Sequence, residues 1–116
     1  MDFNPSPRVE ALSKLVREFV TQEIVPLEGP TRREGFVAML PRLQAVRERA
    51  KQTGLFAAHV PEAVGGAGLA LTEFAHLSEE LGRTPFGHWI FNCQAPDVGN
   101  MEILMEYGTP EQKERW

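Results

Sequence analysis

The run APDVGNMEILMEYGTPEQKERW, Ala95–Trp116, decides how this chain folds. Pro96 suits the first turn of a helix, where its missing N–H costs nothing. Met101, Leu104 and Met105 then recur at i, i+3 and i+4, a stripe that one helix face buries. Gly108 predicts a C′ residue in the left-handed region. Thr109, Pro110 and Gln112 restart the chain as N-cap, N1 and N3, a capping box in which Thr109 and Gln112 satisfy each other's backbone donors. This second helix has barely begun at Trp116, so the stretch reads as part of something longer.

The same grammar extends outward from that run. Ser6 is a plausible N-cap with Pro7 at N1, and Val9, Leu12, Val16, Phe19 and Val20 follow as an apolar stripe at helical spacing. Pro26 disfavours helical geometry at Val25, so this first helix is expected to end there, with LEGPTRREGF (Leu27–Phe36) as a loop. A second helix is expected over Val37–Thr53, with Pro41 kinking it or marking its start, Leu43, Val46 and Ala50 facing inward, and Gly54 as its C′ residue. Leu55–Val60 reads as short, apolar and extended, and leads into the glycine-rich PEAVGGAGL (Pro61–Leu69). Thr72 is expected to cap a third helix carrying Phe74, Leu77 and Leu81, with Gly82 as its stop. Trp89, Ile90 and Phe91 form an apolar cluster feeding the last stretch. No strand-length alternating pattern occurs. The expected fold is all-α, a small bundle of four helices plus the start of a fifth.

A chain of 116 residues is one domain by length and can bury about two-thirds of its unfolded surface. Its net charge of −4 gives no electrostatic reason to expect nucleic acid or an anionic membrane as partner. No window approaches the ~18 apolar residues of a membrane span. MDFNPSPRVE has neither the layout of a secretory signal nor the character of a transit peptide. A single cysteine, Cys93, forms no internal disulfide, and a cytoplasmic location is expected.

Candidate chemistry is sparse. Gly65, Gly66 and Gly68 lack the Gly-Lys-Ser/Thr ending of a phosphate loop and follow no strand, so they read as a close-packed turn. His59, His76 and His88 have no partners at metal-ligand spacing, so no metal site is expected. Cys93 with His88 as base would be a nucleophilic pair, although nothing in the sequence orients the histidine, and a buried inert thiol is the competing reading. Glu79 and Glu80 are consecutive and point to different sides of a helix, which suits solvent. The residues by themselves describe a helical domain with no self-contained active site and no catalytic residue.

Four separated segments resemble one family, the flavin-dependent acyl-CoA dehydrogenases. REFVTQEIVPLE (Arg17–Glu28) resembles the end of that family's first helix, and GLFAAHVPEAVGGAGL (Gly54–Leu69) its Pro-Glu-x-x-Gly-Gly-x-Gly turn. TEFAHLSEELGR (Thr72–Arg83) resembles its third helix, and YGTPEQKERW (Tyr107–Trp116) its Gly-Thr/Ser-x-x-Gln-Lys junction. All four stand in the family's order and spacing across essentially the whole chain. FNCQAPDVGNMEILMEYG (Phe91–Gly108) looks most like the branch that includes vertebrate members with a kinase-like domain fused upstream.

The resemblance implies that residues 1–116 are the N-terminal helical domain of a longer enzyme, whose middle β-domain and C-terminal helical domain are absent here. The family dehydrogenates acyl-CoA thioesters in fatty acid metabolism, uses FAD, and passes electrons to an acceptor flavoprotein; a homo-oligomer is expected. Its catalytic glutamate lies in the C-terminal domain and most of its flavin contacts lie outside this one. The fragment alone is therefore expected to be inactive and to bind no FAD. What this domain is expected to contribute is one wall of the acyl pocket, at Phe91, Ala95 and Gly99, spaced i, i+4, i+8 along one helical face if the helix continues through Pro96. Small residues at Ala95 and Gly99 would leave a deep pocket for long or bulky acyl groups; the competing reading is that they let helices approach. The alternative function is a stand-alone helical dimerisation or regulatory module without catalytic activity.

Overall fold

The computed structural model describes residues 3–116. Seven α-helical segments follow one another: α1 (Pro7–Phe19), α2 (Val25–Glu34), α3 (Phe36–Gln52), α4 (Leu71–Leu81), α5 (Gly87–Ile90), α6 (Asp97–Tyr107) and α7 (Pro110–Arg115). A π-helical turn, Val20–Ile24, joins α1 to α2, and a 3₁₀ turn, Glu62–Val64, lies between α3 and α4. No strand occurs among the described residues. The all-α expectation holds, with the helices more finely divided than four and a fraction.

α1 starts as its sequence dictates. The Ser6 hydroxyl accepts from the Val9 N–H at 3.3 Å, and Pro7 occupies the first turn. Val9, Val16 and Val20 are buried, with Leu12 and Phe19 packed partly against the same core.

The helix does not stop at Pro26. A proline interrupts an α-helix because its ring meets the carbonyl four residues back and because it has no N–H to donate. Here the chain widens into the π-turn just upstream, where the Val25 N–H reaches back to Val20 O. Pro26 then sits in the first turn of a new α-segment, a position it tolerates. The predicted loop Leu27–Phe36 is thus mostly helix α2, despite Gly29 and Pro30. Leu27 and Thr31 are buried on it, and the Thr31 hydroxyl returns to Leu27 O at 2.7 Å. Burial outweighs a weak local propensity. Gly35, at φ +90°, ends α2 and reverses the chain into α3.

α3 runs through Pro41 and presents Met39, Leu43, Val46 and Ala50 to the core. α4 starts two residues earlier than Thr72 predicts. Its N-cap is Ala70, whose N–H donates to the Glu73 carboxylate at 2.9 Å. α1 packs along α4, α2 along α3, and both α3 and α4 meet α5.

Arg17 crosses from α1 to the Glu80 carboxylate on α4, with Nη2 at 2.6 Å and Nε at 3.0 Å, while Arg83 reaches its other oxygen at 3.3 Å. Glu80 is therefore not the solvated side chain its pairing with Glu79 suggested; it is buried and doubly paired. The hydrogen bond from Arg17 holds its carboxyl below the usual carboxylate range.

Two outcomes are expected. Leu43, fully buried, should cost about 2–5 kcal/mol as Leu43→Ala in urea unfolding. Because the folded pKa of Glu80 is depressed, its contribution is present above the unfolded value of about 4.3 and lost as pH falls through the folded one. Glu80→Gln should lower stability at pH 7 and flatten that acid-side decline, measured by denaturation midpoints at several pH values.

Candidate functional site

The stretch linked to substrate by resemblance begins where α5 ends. Phe91 caps α5 and is 1% exposed, its ring edge-on to Phe19 with centroids 5.2 Å apart. Its carbonyl accepts from the Ala57 N–H at 2.8 Å. Asn92 then adopts φ +56°, a left-handed conformation that asparagine tolerates better than most residues. The chain turns through Cys93 and Gln94, crosses a cis Ala95–Pro96 peptide bond, and enters α6 at Asp97.

The helix does not continue through Pro96, so Phe91, Ala95 and Gly99 do not share one helical face. Phe91 belongs to the core. Ala95 lies exposed in the turn, and Gly99 lies exposed in the first turns of α6, where an added Cβ would meet nothing within 4 Å. Gly99 is thus not small to admit a neighbouring helix of this domain.

α6 buries no residue and pairs mainly with α7. Its Met101, Leu104, Met105 stripe is half-buried and forms one side of an apolar groove of about 390 Å³. Val60, Pro61, Val64, Lys113 and Trp116 complete its lining. A second groove, about 310 Å³, lies between Asn100, Ile103, Tyr107 and Trp116. Ile103, Tyr107 and Trp116 are 61%, 75% and 80% exposed, so much of the apolar surface of α6 and α7 faces outward.

The connection between α6 and α7 keeps its expected cap. The Gln112 N–H donates to Thr109 Oγ1 at 3.3 Å, and the Thr109 N–H donates to Gln112 Oε1 at 2.9 Å. Gly108 does not take the left-handed conformation; its backbone is extended at φ −66°, ψ 142°. Glycine is needed there because a Cβ would run into Leu104 O.

The glycine-rich turn is built for close approach. The Gly66 N–H donates to Pro61 O at 3.2 Å and the Gly68 N–H to Val60 O at 2.9 Å. A Cβ on Gly66 would collide with Val60 O, whereas Gly65 and Gly68 need positive φ. The amides point inward at the turn's own carbonyls, which leaves a phosphate nothing to bind there.

Cys93 and His88 do not form a nucleophile and base. The thiol donates to the His88 backbone carbonyl at 3.6 Å, not to its imidazole, and the imidazole Nε2 is 2.8 Å from Ser78 Oγ, tying α5 to α4. Burial pushes the Cys93 thiol up to about 12, leaving roughly one thiol in ten thousand ionised at pH 8. Burial also lowers His88. No group of three or more acidic, histidine or cysteine side chains forms a metal cluster among the described residues.

Residues 6–116 match the family described as acyl-CoA dehydrogenase, N-terminal domain. The chain belongs to the acyl-CoA dehydrogenase family. It is similar to acyl-CoA dehydrogenase family member 10 of Mus musculus, 42% identical over 120 residues that cover 96% of this chain and 11% of that protein. It is also similar to family member 11 of Homo sapiens, 36% identical over 109 residues covering 87% of this chain and 14% of that protein. These vertebrate members are the branch that Phe91–Gly108 resembles. A solved structure from Mycobacterium abscessus, assigned as an acyl-CoA dehydrogenase, superposes with a TM-score of 0.84 at 39% identity, covering 97% of this chain and 31% of that one. The chain spans under a third of each of these proteins.

The family is generally FAD-dependent. Holding an isoalloxazine and a pyrophosphate takes several converging polar groups in one cavity. Among the described residues, the buried side-chain polar atoms without a partner are Ser13 Oγ and the two ring nitrogens of His59, and none of them lines either groove. Among the described residues, Lys113 is the one charged lining residue of the larger groove. The described residues therefore do not fit FAD on their own, and no chemical step is assigned to them.

Cys93 should resist a disulfide reagent at pH 8 in the native chain and react rapidly once urea unfolds it. Labelling of the native protein within seconds would contradict the buried, un-ionised thiol.

Proposed function

We propose that this chain is the N-terminal domain of an enzyme that dehydrogenates acyl-CoA thioesters between the α and β carbons, and that the Phe91–Gly99 segment supplies one wall of its acyl pocket. The observation that carries the wall reading is the exposure of Ala95 and Gly99 beside a firmly anchored Phe91. An alanine methyl and a bare glycine backbone lie at the surface beside a fixed base, and a Cβ at Gly99 would meet nothing within 4 Å. Phe91 acts from behind, as the anchor. A wall this shallow suits long or bulky acyl groups.

On this reading catalysis belongs to a β-domain and a C-terminal helical domain that also hold FAD, and electrons leave to an acceptor flavoprotein. The enzyme is a homo-oligomer. The buried free thiol of Cys93 is consistent with a reducing, cytoplasmic setting. The alternative, a stand-alone dimerisation or regulatory module, draws on the exposed Ile103, Tyr107 and Trp116, which would suit self-association. Light scattering of the 116-residue chain tests it: a stable dimer favours the module, a monomer favours the enzyme domain.

Gly99→Leu tests the wall. Since a Cβ there meets nothing within 4 Å and the position is exposed, folding should be unaffected. In the full-length flavoenzyme, kcat/KM for hexadecanoyl-CoA relative to butanoyl-CoA should fall by about tenfold or more. An unchanged ratio would remove Gly99 from the pocket.

A further inference from the structure

The turn that carries Ala95 is held by a residue far from it in sequence. Arg47 on α3 donates through Nη1 to Trp89 O and through Nη2 to Asn92 Oδ1, the latter at 2.5 Å. Its guanidinium lies 4.9 Å from the Phe56 ring centroid and 5.0 Å from that of Trp89. A planar fork that donates two hydrogen bonds while lying within cation–π distance of two rings makes a set of contacts that a lysine cannot fully reproduce. Asn92 passes the constraint on, because its Nδ2 is 3.6 Å from Met101 Sδ on α6. Asn92, two residues past the end of α5, has positive φ, and its side-chain amide touches both Arg47 and Met101 of α6.

These contacts form one connected path, Arg47 to Asn92 to Met101. α6 has no buried residue of its own to fix it against the core, and only Val98 packs partly there. We propose that Arg47 is a positioning residue that sets where Ala95 and α6 stand, and thereby the depth of the acyl pocket. It touches neither substrate nor cofactor; it acts through Asn92. This proposal rests on the wall reading given above for Ala95 and Gly99.

The test uses the full-length flavoenzyme and the same two thioesters, hexadecanoyl-CoA and butanoyl-CoA. Arg47→Met should raise KM for the long thioester and lower the long-to-short ratio of kcat/KM by about tenfold, with kcat for the short one within about twofold. Arg47→Lys, which keeps the cation over the rings and loses the fork, should recover part of that loss. Asn92→Gly keeps the positive φ and removes only the amide, so it should shift the ratio in the same direction. It also decides the matter alone if Arg47→Met does not fold. Val16→Ala, a core change away from the clasp, should lower the unfolding midpoint and leave the ratio unchanged. If it shifts the ratio equally, general destabilisation is the cause and the proposal falls. If Gly99→Leu changes the ratio while Arg47→Met and Asn92→Gly do not, the positioning role is wrong and the wall stands. If Gly99→Leu, Arg47→Met and Asn92→Gly are all silent, the wall falls and the positioning role with it.

Discussion

Phe91 is the point through which the parts of this molecule are held in one arrangement. Its ring stands edge-on to Phe19 at the end of α1, and its N–H closes the last turn of α5 on Gly87 O. Its carbonyl receives the Ala57 N–H from the segment after α3. An aromatic side chain this deeply buried contributes area and geometry together, since an edge-to-face pair has a preferred distance and angle. With Phe91 seated, α5 cannot slide, and the turn that follows departs from a fixed place.

From that place the domain changes character. α1 to α5 share a close-packed interior, whereas α6 and α7 lie against it with a half-buried stripe on one side and open apolar surface on the other. Packed interiors hold their shape; a helix with no buried residue holds its orientation only through discrete contacts. Here those contacts are few: Val98 packed partly on the core, the half-buried Met101, Leu104 and Met105 stripe, and the Asn92 amide on Met101. The part of the chain proposed to border the acyl group is thus the part whose position is least determined by burial, which is why the proposed role of Arg47 falls there.

Much of this was legible in the sequence, and the exceptions share a cause. The Val9–Val20 stripe, the Ser6 cap, the inward face of α3 and the Thr109–Gln112 box follow from periodicity and capping chemistry, which act within a few residues. The close-packed glycine turn was legible too, although that Gly66 is required by Val60 O is visible only once the turn closes. LEGPTRREGF reads as a loop because glycine and proline carry a local penalty. It becomes helix because Leu27 and Thr31 gain burial against neighbours that the local sequence does not name. Pro26 reads as a stop, yet one π-turn accommodates it.

For the site the division is sharper. The sequence alone determined that the chain is all-α and that its motifs, in order and spacing, resemble the acyl-CoA dehydrogenases, because both depend on residues near one another along the chain. It also marked Phe91, Ala95 and Gly99, but their even spacing implied one helix face. Only the tertiary structure decided that Phe91 turns into the core while Ala95 and Gly99 remain outside, across a backbone reversal at Asn92. It alone joined Arg47 to Asn92, forty-five residues apart, since no periodicity links side chains at that separation. Local interactions can be read from neighbours in sequence; a contact closed by packing exists only after the helices that carry it have met.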